Sequence, residues 1–383
     1  MAGEDMAIVK VEHWVFRAPV LEPVANAFGA MSNRPALFLR ISASDSAWGW
    51  GEVFCNFPQV GAEHRGRLLS SIVAPLLTGF ADDAPAPVRN MLEVRTRRMA
   101  IQCGEPGPFA QILGAVDQAL WDMAARRAGV PLWKFIAAQS GMGANASERV
   151  RVYASGIGPE RVVEVAQAKR AAGYRAFKLK VGFGTERDVG NLAAMRAALG
   201  ADATIMVDAN QAWSPADSPA RMAELAPYAP HWVEEPMAAD ESLDSWRHLA
   251  KATPLALAAG ENLRGLDAFE AALGAGFLRY VQPDVGKWGG ISGCLDVARL
   301  AGPAGAVLCP HWLAGGVGLA ASLHLRAALG PQGFAEVDAN PNPLREEVCP
   351  LVPDDGWISL PQAPGLGVEP DLARLAPYAV KGN

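Results

Sequence analysis

The chain has 383 residues, half of them hydrophobic and 19% charged, with a formal net charge of −6. This is an ordinary globular composition with room for two or three domains. The mild acidity and the lack of any Lys/Arg run exclude a nucleic-acid surface, and no apolar stretch reaches the roughly 20 residues of a membrane span.

The opening "MAGEDMAIVKVEHW" carries acids early and no apolar core with a cleavage site, so a signal peptide is not expected. The five cysteines (Cys55, Cys103, Cys294, Cys309, Cys349) are odd in number and form no CxxC. Free thiols in a cytoplasmic protein are the expectation.

"AIVKVEHWVF" and "PALFLRISAS" read as strands, and "AEHRGRLLSSIVAPLLTG" and "PVRNMLEVRTRRMA" carry helical periodicity. Together they predict an α+β unit over residues 1–125. Its stretches 18–34 and 53–62, rich in Pro, Gly and Asn, are expected to be loops that fold over a site, with Met31, Asn56 and Phe57 as candidate specificity residues. "GAVDQALWDMAARRAGVPLWKFI" is an amphipathic helix stopped by Gly129 and Pro131.

From about residue 150 short apolar runs alternate with helical segments. The runs are "VRVYASG", "AFKLKVG", "TIMVDAN", "HWVEEP", "LALAAGEN", "LRYVQPD", "AVLCPH" and "FAEVDAN", with helices at 161–172, 187–198, 242–250 and 291–301 among those between them. Eight strands with crossovers predict a parallel α/β barrel over 126–355. No helix is expected after the eighth strand, which makes the barrel a modified (β/α)7β form. A turn-rich segment, 356–383, is expected to return to the N-terminal unit.

Polar residues end the strands. Lys178 and Lys180 end the second, Asp208 and Asn210 the third, Glu234 the fourth, Glu261 the fifth, Asp284 the sixth, His311 the seventh and Glu336 the eighth. From Lys180 onward these lie 23 to 28 residues apart, one strand–helix unit each. Side chains two apart share a strand face, so Lys178 and Lys180 point the same way. The C-terminal strand ends of a barrel form the floor of its active site. Three carboxylates there, Asp208, Glu234 and Glu261, need neutralisation, and all-oxygen ligation points to Mg2+, with Mn2+ the alternative. Asp284 beside His311 suits an oriented, basic imidazole. A cation flanked by two bases suits removal of a proton next to a carboxylate.

The motifs "KLK", "VDAN", "VEEP", "GEN", "QPD…GG" and "PH", with the tail "LPQAPGLGVEPD", resemble the enolase superfamily and its mandelate racemase subgroup over nearly the whole chain. The resemblance implies a capped, modified barrel and symmetric homo-oligomers. It implies that Asp208, Glu234 and Glu261 hold the metal and that Lys180 is a base. It makes Lys178 the neutraliser of the substrate carboxylate, Asp284 and His311 a dyad, and Glu336 a hydrogen-bonding partner of the enediolate. Asn210 lies where it can touch a substrate hydroxyl. The sequence after Glu336, "VDANPNPL", departs from mandelate racemase itself. Muconate cycloisomerases and dipeptide epimerases carry a lysine where Asp284 stands; Lys287 follows three residues on, at the wrong parity, which argues against those activities.

The reaction implied is dehydration of a sugar acid, an aldonate or aldarate, to a 2-keto-3-deoxy acid. The alternatives are cycloisomerisation of a sugar-acid lactone, suggested by "EVDANPNPLRE", racemisation or epimerisation of a 2-hydroxy acid, and a non-catalytic sugar-acid binder. Glu235 with Pro236 is read as a cap and helix start, and His13, His64, His231, His248 and His324 as structural. "VGFG" and "GGISG" lack a phosphate-binding fingerprint. Trp288 and Trp312 adjoin strand ends and are candidates to line the pocket.

Overall fold

The computed structural model describes residues 7–26 and 29–381, with only the backbone for 21–23, 25 and 26. Three antiparallel strands open the chain: β1 (Ile8–Asn26), β2 (Gly29–Ala43) and β3 (Trp48–Val53). A helical run, Gly61–Leu77, with a wide turn at Leu69–Val73, then helices Pro85–Gln102 and Pro106–Arg127, accompany this sheet.

The expectation of a loop at 18–34 is corrected. β1 and β2 continue pairing through Pro19 with Asn33 and, after an irregularity, Val24 with Met31. The prolines at 19 and 23 hide the strand pattern, because each removes a ladder donor. Residues 27 and 28 of that stretch lie outside the described residues. The segment after β3 is irregular up to Val60, as expected.

Eight parallel strands follow: β4 (Arg149–Ile157), β5 (Ala176–Lys180), β6 (Thr204–Asp208), β7 (Val233–Glu234), β8 (Leu257–Ala259), β9 (Leu278–Val281), β10 (Val307–Leu308) and β11 (Ala335–Asp338). They pair in the order β10-β9-β8-β7-β6-β5-β4-β11 and curl into the modified barrel. Between β11 and the next strand the described helix is the single short turn Pro343–Glu346. β12 (Trp357–Ser359) then runs antiparallel to β4, and Val380 donates its N–H to Val15 of β1.

Alternation decides what faces inward. Tyr153, Ala176, Met206, Trp232, Ala258 and Cys309 form one buried layer at the barrel's base. Phe177, Leu179, Ile205, Val207 and Val233 face outward into the larger core against the helices. Two residues beyond the base layer, the inward positions become Ser155, Lys178, Asp208, Glu234 and His311, which carries polar groups to one end. Among the described residues no helix is long and apolar enough to cross a membrane.

Buried carboxylates pin the first sheet to the barrel. Glu52 of β3 accepts from the N–H groups of Gly315 at 2.6 Å and Gly318 at 2.9 Å, at the N-terminus of the buried helix Gly316–Ala328. Asp117 accepts from Ser292 at the start of helix Gly290–Ala301, and Asp122 from the N–H groups of Trp50 and Leu366. Helix N-termini carry unpaired N–H groups and partial positive charge, so each acid satisfies donors that burial leaves unmet.

Burial nevertheless raises the Glu52 pKa from 4.5 to about 8, against the pull of its backbone donors. An acid whose pKa rises on folding holds its proton more tightly in the folded state. Its contribution to stability is therefore full below about 4.5 and is lost as pH climbs to about 8. In urea unfolding from pH 5 to 8, the stability advantage of wild type over Glu52→Gln should shrink as pH rises. A pH-independent difference would show Glu52 ionised with an ordinary pKa.

Candidate active site

The polar strand ends meet at the C-terminal end of the barrel. Register places Lys180 opposite Asp208 and Asp208 opposite Glu234, while an isolated parallel bridge joins Asp284 to His311. Glu261 breaks the alternation, since it lies three residues after inward-facing Ala258. Gly260, at φ +144°, supplies the backbone turn that re-aims the chain there, and a Cβ on it would sit 2.7 Å from the Gln282 nitrogen. Gly182, behind the two lysines, has φ +99° and donates its N–H to Asp188, which turns the chain away from the site.

Lys178 is fully buried, with its Nζ 2.5 Å from Glu234 Oε1, 2.8 Å from Glu336 Oε1 and 3.6 Å from Asp208 Oδ2. Lys180 Nζ lies 2.5 Å from Asp208 Oδ2. Glu234 Oε2 accepts from Gln282 Nε2 at 2.6 Å and Trp232 Nε1 at 3.1 Å. Glu336 accepts from Ser155 Oγ at 2.5 Å and from the Trp312 N–H at 3.0 Å. His311 stands between two carboxylates, with Nδ1 2.5 Å from Asp284 Oδ2 and Nε2 on Glu261. Asp284 is in turn fixed by the N–H groups of Gly286 and Lys287. The Asn210 N–H donates to Asp208 Oδ1, while its own buried Oδ1 has no hydrogen-bond partner among the described residues.

These neighbours set the protonation states. Burial pulls the Lys178 ammonium down, but Glu234 and Glu336 outweigh it and hold its pKa well above the ordinary value. Burial also lowers His311, but Glu261 and Glu336, with the Asp284 hydrogen bond, carry it up to about 10. As an imidazolium it donates from both nitrogens. Burial raises Glu261, but His311 and Lys287 hold it well below the usual carboxylate range. Burial lifts Glu234 to about 7 even with Lys178 beside it. Glu235, buried and next to Glu261, is pushed well up, and both its oxygens accept from Asn262.

Above these groups lies a cavity of about 620 Å³. Lys180, Asn210, Glu261 and His311 line it, as do the specificity candidates Met31, Asn56 and Phe57 from the N-terminal unit. Lys178, Asp208, Glu234, Asp284 and Glu336 lie beneath its wall, engaged as above. Trp288 and Trp312 are not among the lining residues. Trp312 is buried, with its indole N–H on Gly315, and Trp288 packs on Phe269. His324 is structural: its Nδ1 accepts from the Trp133 N–H and its Nε2 meets the Leu366 carbonyl. Among the described residues no three His, Cys, Asp or Glu side chains converge as a ready metal cage. Each carboxylate is instead held by an ammonium or imidazole.

The sequence reading omits several residues found here. Gln282 shares a face with Asp284, so parity in "QPD" points to it; Ser155 is opposite Asp338 in the ladder. Lys287 is dismissed on parity, yet its side chain enters the cavity, with Nζ 3.4 Å from Glu261 and 4.8 Å from the centre of the Phe54 ring. Its direction comes from the turn that Asp284 caps, which no alternation rule describes. Arg34, paired to Asp338 at 2.6 Å, and Arg264 also line the cavity.

Two family models match the chain: the mandelate racemase / muconate lactonizing enzyme N-terminal domain over residues 10–137, and the enolase C-terminal domain-like model over 161–374. The chain is 30% identical to a D-galactarolactone cycloisomerase of Agrobacterium fabrum, covering 93% of this chain and 94% of the relative. It is 30% identical to a D-galactonate dehydratase of Ralstonia nicotianae, covering 88% and 90%. A mandelate racemase/muconate lactonizing enzyme structure from Bordetella bronchiseptica RB50 superposes with a TM-score of 0.89 at 48% identity, covering 97% and 99%. A Streptomyces coelicolor racemase with bound magnesium superposes at 0.85 with 30% identity, covering 97% and 100%.

Removing one partner from a buried charge cluster costs about 3–5 kcal/mol. Lys178→Met should therefore lower unfolding stability in chelator by that amount, and by more than Lys180→Met, whose ammonium meets a single carboxylate. Equal losses in urea titrations would show that Lys178 does not neutralise the cluster.

Proposed function

The chain belongs to the mandelate racemase / muconate lactonizing enzyme family of the enolase superfamily, and from that premise we propose that it removes the proton α to a sugar-acid carboxylate. The enediolate formed then expels its β-hydroxyl, protonated, as water, and the resulting enol gives up its O–H proton and takes one at C3 to become a 2-keto-3-deoxy acid. One observation carries this reading. Lys180 and His311, on strand ends with four strands between them in the sheet, open into one cavity beside Glu261 and Asn210.

The donor set fits a divalent cation. With the imidazole neutral, five carboxylates (Asp208, Glu234, Glu261, Asp284, Glu336) face three ammonium groups (Lys178, Lys180, Lys287), leaving two negative charges in excess. The unpartnered Asn210 Oδ1 adds a neutral oxygen. Asp208, Glu234 and Glu261 would hold Mg2+, with Mn2+ the alternative. When bound, it supplies positive charge for the substrate carboxylate and α-hydroxyl.

The remaining steps belong to the side chains. Lys178 offsets charge growing on the carboxylate. Lys180 or His311 takes the α-proton, according to the configuration of that carbon. Engagement of Glu261 elsewhere would free His311 Nε2 and remove the field that holds its proton. Asp284 keeps Nδ1 protonated, so that Nε2 is the atom that exchanges a proton with substrate. For dehydration, His311 donates to the departing hydroxyl. Glu336, as the carboxylate that Lys178 and His311 favour, only accepts; its part in hydrogen-bonding the enediolate requires that it carry a proton. A second reading, cycloisomerisation of a sugar-acid lactone, is favoured by the relative from Agrobacterium fabrum, aligned over 93% of this chain.

Incubation with Mg2+ and acid sugars in D2O should yield a 2-keto product or α-deuterium. Lys180→Met and His311→Asn should each lower turnover by roughly 10²–10⁴. Full activity in either variant removes that residue from its role, and binding of acids without exchange or product leaves a non-catalytic binder. Mg2+ should raise the Tm, and Asp208→Asn should abolish that rise; an undiminished rise would put the metal elsewhere.

A further inference from the structure

Four lysine and arginine side chains line the cavity beside His311, and two of them have carboxylate partners in close contact: Lys180 with Asp208 at 2.5 Å and Arg34 with Asp338 at 2.6 Å. Lys287 is held more loosely: its Nζ lies 3.3 Å from Asn262 Oδ1, 3.4 Å from Glu261 Oε1 and 4.8 Å from the centre of the Phe54 ring. Arg264 is exposed and has no hydrogen bond or ion pair among the described residues. Its guanidinium crosses the first turn of helix Pro106–Arg127, with one terminal nitrogen 2.6 Å from where a Cβ on Gly107 would lie. The acids lining the cavity are Glu261, already engaged, and Asp240, exposed on the segment after β7.

A sugar acid's reacting carboxylate is provided for at the barrel floor. The cation left over in the same cavity, Arg264, serves the other end of the molecule. A terminal hydroxymethyl group gives it no charge to pair with, whereas a second carboxylate does. We infer that Arg264, assisted by Lys287, determines specificity by reading a terminal carboxylate, so that the substrate is a six-carbon diacid or a lactone that releases this carboxylate on ring opening. The inference rests on the sugar-acid reading above and narrows it.

Galactarate and D-galactonate share their stereocentres and differ at C6, carboxylate against hydroxymethyl. With Mg2+ present, calorimetric titration of wild type should show galactarate bound roughly tenfold to a hundredfold more tightly, the worth of one charged hydrogen bond. Arg264→Ala should erase that preference and Arg264→Lys restore part of it. Because Arg264 is exposed, these variants test recognition rather than folding. Equal binding of both acids by wild type, binding of neither, or a preference that survives Arg264→Ala overturns the inference. Deuterium exchange run alongside separates the two claims. A preference dependent on Arg264 without exchange sinks the catalytic reading and keeps the subsite. Exchange without such a preference does the reverse.

Discussion

Everything at the C-terminal end of this barrel depends on one constraint: five carboxylates share a nearly dry space and have to be neutralised there. Isolated charges of one sign in such a place would shift their pKa values until they lost the charge. The chain answers with ammonium groups set at hydrogen-bond distance, Lys178 among Glu234, Glu336 and Asp208, and Lys180 on Asp208. Their number falls short of the carboxylates. The imidazole of His311 makes up part of the difference by holding a proton between Asp284 and Glu261. The same shortage that protonates His311 would favour the divalent cation proposed above, so a basic imidazole and an affinity for a cation would be two consequences of one electrostatic balance.

That balance requires a rigid frame. The N-terminal unit is fixed by acids buried at helix starts, Glu52 over Gly316–Ala328 and Asp117 over Gly290–Ala301. These two helices follow β10 and β9, the strands whose ends carry His311 and Asp284. The contacts that seat the unit therefore also brace the dyad. Gln118 adds a third tie, donating from Nε2 to the carbonyls of Glu52 and Val285. A cavity wall built partly from β2 and the segment after β3 can then present Met31, Asn56 and Phe57 at a fixed height above the proton-transfer groups.

Much of this was legible in the sequence because strand alternation is strict. Lys178 and Lys180 two apart, alternating with Phe177 and Leu179 of the outer core, fix the inward face without reference to any partner. Legibility ended where backbone leaves the alternation. Glu261 reaches the site only because Gly260 resets the direction, and regular spacing pointed to it where parity alone would not. Lys287 was dismissed by parity and enters the cavity through a turn set by Asp284. The pairing of β1 with β2 within 18–34 was hidden by prolines that long-range pairing overrides. Arg264 carried no signal, since its place over Gly107 joins residues 157 apart in sequence.

The division between floor and wall bears on which bond breaks after the proton leaves. On the proposed mechanism the floor would make an enediolate and be indifferent to what is expelled from the β-carbon. Hydroxide is a poor leaving group and needs a proton, which His311 or Lys180 would give. A lactone opening at the same carbon expels a carboxylate, stable as an anion, and needs a cation near it more than an acid. Lys287 and Arg264 are cations of that kind, lying on the wall rather than in the proton-transfer pair. On the proposed mechanism dehydration and cycloisomerisation would share the floor and part company at the wall. Relatives of both activities align with most of the chain.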